Sequence, residues 1–126
     1  MQKLLPESTI LVEYMMAKEA LYAVVLSKNR AKSFALPLPN DFEEIVKKYW
    51  ILLQRNSLTK GQTKEFDKLS KQLHQVLLAS LLPESSVQQR LVIIPDGLLQ
   101  LIPFETLKDN NDDYLLKNHP LSLIHI

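Results

Sequence analysis

Residues 91–94 read LVII, four apolar side chains with no polar break, and they run straight into Pro95-Asp96-Gly97. Alternation is the mark of a strand with one wet face, so an unbroken apolar run of this length predicts a central strand covered on both sides, as in a parallel sheet. With three strands and two helices predicted before it, the chain reads as an α/β pattern: a meander, two helices, then a buried strand. Beyond it, Asp96-Gly97 is expected to turn the chain, with Asp96 holding the turn through its own side chain and Gly97 supplying a positive φ. Residues 98–102 are expected as a short extended piece, and Pro103 suits the first position of a helical turn over residues 104–107.

The rest of the chain fits that pattern. Residues 9–36 predict three strands joined by short polar breaks at Lys18-Glu19 and Lys28-Asn29-Arg30, an antiparallel meander at a sheet edge that ends at Pro37 and Pro39. Asn40 is positioned to cap a helix with Glu43 as its capping-box partner, and Phe42, Ile45, Val46, Tyr49, Leu52 and Leu53 recur on one face. Trp50 flanks that stripe and reads as core or subunit contact. Residues 55–62, with Gly61, read as a loop. Thr63 opens a second predicted helix whose stripe is Phe66, Leu69, Leu73, Val76 and Leu77, with Pro83 marking its end. After the LVII strand, residues 108–113 form an exposed loop, and the last thirteen residues predict one or two short strands.

Composition narrows the function. Lys plus Arg is 15 against Asp plus Glu at 14, with no basic block, which argues against nucleic acid or an anionic membrane as partner. No run has the length of a membrane span, the N-terminus lacks the apolar core of a signal peptide, and the expected location is cytoplasmic. There is no cysteine, so a disulfide, a thiolate metal site and a thiol nucleophile are excluded within these residues. Two glycines cannot build a phosphate-cradling loop. His74, His119 and His125 are isolated from one another in the sequence and suggest no ligand set. The acidic run Asp109, Asp112, Asp113 lacks the glycine and terminal glutamate of a calcium loop and reads as a solvated turn. From the residues alone, no catalytic group, metal site or cofactor is named.

The segment RLVIIPDGLLQLIPFETL, with Pro95, Asp96, Gly97, Pro103 and Phe104 as its structural motif, resembles the hallmark of the CHAT domain, a caspase-like, separase-related cysteine peptidase family. The opening strands with Glu13-Tyr14, the two helices and the closing strand follow in the family's order, so the resemblance runs along residues 1–126. It implies a partial caspase-like fold: the antiparallel meander, two helices, then a buried parallel strand followed by a small PDG hairpin. The family's catalytic histidine, in a motif ending Thr-His-Gly, and its cysteine, in one like Ser-Ala-Cys, lie downstream of the PDG element. Neither motif is in this sequence, and His125 lacks the following glycine. The chain is thus expected to be the N-terminal portion of a bacterial CHAT-type cysteine endopeptidase, inactive as given, acting on a protein or peptide substrate once complete. The alternative is a non-catalytic caspase-like scaffold or interaction module associated with upstream tetratricopeptide repeats. The hexapeptide LSLIHI at residues 121–126 is also what one reading frame of a transposase sequencing adapter encodes, and it is expected to be wholly or mostly adapter-derived.

Overall fold

The computed structural model describes residues 8–18, 20–55, 57–82, 90–109, 111–115 and 121–123. Its elements are β1 (Thr9–Met16), β2 (Leu21–Leu26), β3 (Ala31–Leu36), α1 (Phe42–Leu53), α2 (Lys60–Leu77), β4 (Arg90–Ile94) and β5 (Leu121–Leu123). Two short 3-10 turns, Gly97–Leu101 and Phe104–Thr106, lie between β4 and β5. The five strands form one mixed sheet in the order β3-β2-β1-β4-β5. The meander β1-β2-β3 is antiparallel, whereas β4 pairs in parallel with both β1 and β5. The α/β class, the edge meander and the central parallel strand are as the sequence implies.

Strand parity separates the two faces of the sheet. Ile10, Val12 and Tyr14 of β1, Leu21 and Ala23 of β2, and Leu91 and Ile93 of β4 are all buried and share one core with the helices. α1 adds Phe42, Ile45, Val46, Tyr49 and Leu52, and α2 adds Leu69, Leu73 and Leu77. On the opposite face Glu13, Met15 and Tyr22 are exposed, and Val24, Leu26, Val92 and Ile94 are half-buried. This corrects one expectation: β4 is central, but among the described residues only its helix-facing side is fully covered.

The helix starts also differ from the sequence reading. At α1 the N-cap is Asp41, with no side-chain cap bond, and Glu43 pairs with Lys47 at 2.9 Å instead of reaching back to Asn40. That exposed i,i+4 contact holds the Glu43 carboxyl below its usual range through the Lys47 hydrogen bond. The working capping box is at α2, where the Thr59 hydroxyl accepts from the Gln62 N–H and the Gln62 side chain accepts from the Thr59 N–H. α2 therefore begins at Lys60 and takes in Gly61 and Gln62, which the sequence assigns to a loop. α2 closes at Leu77, and Pro83 lies outside the described residues.

Candidate functional site

The site is built around the segment that follows β4. Pro95 is buried, and Asp96 is extended at φ −131° and ψ 144°. Its carboxylate Oδ2 accepts from the Met16 N–H at 2.8 Å. Met16 closes β1, and the parallel register pairs Glu13 with Ile94, the last residues of the ladder. Asp96 thus satisfies a β1 donor that lies beyond that strand's ladder with β4 and ties the turn to the neighbouring strand's end. The expectation that Asp96 holds its own turn is corrected: its side chain makes no cap bond to the turn that follows. Gly97 has φ 55°, in the left-handed region, as the sequence implies.

Past Gly97 the chain does not form an extended arm or a hairpin. It winds through the 3-10 turn Gly97–Leu101, with the Leu99 N–H donating to the Asp96 carbonyl at 3.1 Å. The physical reason is the Leu98-Leu99 pair: a turn drives Leu99 fully into the core and holds Leu98 half-buried, which alternation on an open arm does not. Pro103 then precedes the second turn, Phe104–Thr106, as its sequence suggests.

Three contacts pin this second turn. Phe104 is fully buried and stacks on Tyr14 with ring centroids 5.8 Å apart. Tyr14 in turn donates its hydroxyl to the Leu77 carbonyl at the end of α2, at 2.7 Å. Burial pushes the Tyr14 hydroxyl strongly upward from its ordinary pKa, so it stays a donor. Thr106 donates its hydroxyl to the Pro103 carbonyl at 2.7 Å and faces the Tyr49 hydroxyl at 2.5 Å. Ser70, fully buried on α2, donates to the Thr106 carbonyl at 3.0 Å and accepts from the Lys108 N–H at 2.9 Å. Burial raises the Tyr49 pKa, and its bond to Thr106 partly offsets that. Outside this knot, Lys108 pairs with Asp67 at 3.0 Å and covers the Tyr114 ring at 4.8 Å.

Of the five motif residues, Asp96, Gly97 and Phe104 each have a defined mechanical role, and Pro95 and Pro103 bracket them. Tyr14, Tyr49, Ser70 and Thr106 complete the knot; the sequence places Tyr14 in the Glu13-Tyr14 pair of the resemblance and Tyr49 in the first helix's apolar stripe, and does not single out Ser70 or Thr106. Ser70 carried a signal: it occupies the apolar stripe of α2 between Leu69 and Leu73, where a hydroxyl needs a buried partner. Trp50 is not core but 40% exposed. His74 is half-buried on α2, and His119 and His125 lie outside the described residues. Among the described residues no cluster of three His, Cys, Asp or Glu side chains forms a metal site, and no helix is long and apolar enough to cross a membrane. The acidic loop is engaged locally: the Asp109 carboxylate accepts from the Asn111 and Asp113 N–H groups, and Asp112 pairs with Lys71 at 2.7 Å.

The arrangement is a fastening, with strand end, helix end and helix middle all bound to one signature segment. Residues 67–125 match the family model described as the CHAT domain. The match takes in most of α2, β4, the whole PDG–PF segment and β5; residues before Asp67 fall outside it. No curated protein matches the chain.

Proposed function

We propose that this chain is the N-terminal portion of a CHAT-type caspase-like cysteine endopeptidase, supplying the scaffold on which a downstream histidine and cysteine are mounted. The observation that carries the reading is the PDG–PF segment, fastened at Asp96, Phe104 and Thr106 to the end of β1 and to both helices. A dyad on successive parallel strands needs a rigid sheet beneath it, because reacting groups misplaced by an ångström lose orders of magnitude in rate. The substrate class is a protein or peptide, the location cytoplasmic, and upstream tetratricopeptide repeats are a partner for the completed protein.

The test begins with resequencing the source DNA across codon 126 by a transposase-free library. An open frame running into Thr-His-Gly and then a cysteine after an apolar strand supports the reading. The product of that longer frame should cleave a fluorogenic peptide library and lose the activity on replacing its cysteine with alanine. The 126-residue chain, with no cysteine, should cleave nothing. A true stop after Ile126, or peptide hydrolysis by the 126-residue chain itself, overturns it.

A further inference from the structure

The C-terminal half of α1 and the PDG–PF segment flank an open groove of about 320 Å³. Trp50 and Leu101 line it, each 40% exposed, together with Leu53, Ile102 and Pro103. Exposed aromatic and aliphatic surface gathered in one groove is the pattern of a recognition site more than of a solvated helix face. The polar groups there have one sign. Glu105 is the only charged residue in the lining, and Gln54 and Gln100 add side-chain amides. None of these three side chains is engaged in a hydrogen bond or ion pair with a described residue. The groove between α1 and α2 is the contrast: Asp41, Glu44 and Glu65 share it with Lys48, Lys64 and Lys68, so its charge is already balanced.

We propose that the Trp50–Glu105 groove docks a segment of a partner protein that presents an arginine beside an aliphatic side chain. A guanidinium is planar, stacks on an indole face and forks onto a carboxylate or an amide oxygen, which are the three groups this groove offers. The aliphatic neighbour covers Leu101 and Ile102. Arginine fits better than lysine because a compact ammonium uses the Glu105 charge but leaves most of the indole uncovered. The groove's lining includes none of Asp96, Phe104 and Thr106, and the site stands whether or not the peptidase reading does.

Trp50 is the sole tryptophan, so its emission reports this groove alone. The experiment titrates the full 126-residue chain with acetyl-Leu-Arg-Leu-amide and with the same peptide carrying citrulline, which keeps the shape and removes the charge. A saturable shift in Trp50 emission with the arginine peptide is expected. Citrulline should weaken it about tenfold, as should Glu105→Gln, the scale of one charge-assisted contact. Half-molar salt should weaken it as well. Leu101→Ser provides a second variant, expected to abolish the shift while the far-ultraviolet circular dichroism is unchanged. Equal response to both peptides, or a response that survives both variants, overturns the proposal. So does sedimentation showing a dimer that Leu101→Ser dissolves and the arginine peptide does not, because the groove is then a contact between copies of this chain.

Discussion

Replacing Asp96 with alanine isolates the tether between the PDG turn and β1. The Asp96 carboxylate is half-buried and takes the Met16 N–H at 2.8 Å, a bond to an ionised acceptor. Such bonds contribute about 1.5–3 kcal/mol, and their removal leaves the donor unmet. We take about 2 kcal/mol, which is a factor of about 30 in the local opening equilibrium. With a urea slope of about 1.5 kcal/mol/M, the unfolding midpoint falls by about 1.3 M. Asp96→Asn keeps an oxygen in place without the charge and should lose about 0.5–1 kcal/mol. The assay is amide exchange at Met16, read by mass spectrometry on a fragment spanning β1, alongside urea unfolding followed by Trp50 emission. Alanine should accelerate Met16 exchange about 30-fold and asparagine about threefold. Unchanged exchange at Met16 in Asp96→Ala, or equal losses for the two variants, refutes the tether.

The other expectations follow from the same contacts. Ser70→Ala strips a fully buried hydroxyl from the Thr106 carbonyl and the Lys108 N–H and should cost about 2–3 kcal/mol in urea unfolding; Ser70→Thr, which keeps the hydroxyl, should recover part of it. Gly97→Ala should cost about 1–2 kcal/mol by the same assay, all of it conformational, since an added Cβ meets nothing nearer than the Met16 sulfur at 3.8 Å. Tyr14 and Tyr49 both have raised pKa values in the fold, Tyr14 by burial and Tyr49 chiefly so, so the folded chain holds protons that the unfolded chain releases above its ordinary tyrosine value near 10. Their contribution is complete below that pH and is lost as pH rises beyond it; circular dichroism against pH should show alkaline unfolding that Tyr14→Phe blunts. Finally, the half-buried Val24, Leu26, Val92 and Ile94 beside exposed Met15 and Tyr22 should make the 126-residue chain self-associate, and Met15→Lys with Tyr22→Lys should reduce that in sedimentation velocity.

What the sequence made legible was periodicity. The apolar LVII run, the strand-like segments of the meander and the two helical stripes fixed class and order, while the parallel character of β4 came from the resemblance. The losses came where partners are distant in the chain. Asp96 read as a local turn residue because Asp commonly serves that way, yet its acceptor is used 80 residues away on Met16. Asn40-Glu43 matched a capping box in spacing, but Glu43 found Lys47 one helical turn on. The true box, Thr59 with Gln62, was hidden by a polar stretch containing Gly61, which costs a helix about 1 kcal/mol and so resembles a loop. Ser70 and Thr106 are ordinary residues until the fold brings them within 3.0 Å.

These losses share a cause that bears on the signature itself. Of Pro95, Asp96, Gly97, Pro103 and Phe104, only Asp96 carries an ionisable group, one of its carboxylate oxygens already accepts from the Met16 N–H, and the structure accounts for Asp96, Gly97 and Phe104 by geometry. Asp96 reaches a strand end, Gly97 takes a backbone angle that side chains resist, and Phe104 fills a buried space against Tyr14. A segment that binds β1, α1 and α2 together fixes the height at which β4 leaves the sheet, and with it the start of whatever strand lies alongside. On the peptidase reading proposed above, substitutions here should act through position, lowering activity together with stability, while a substitution at a reacting group would lower activity and leave the urea midpoint where it was. That difference separates a fastening from a catalytic motif without a bound substrate.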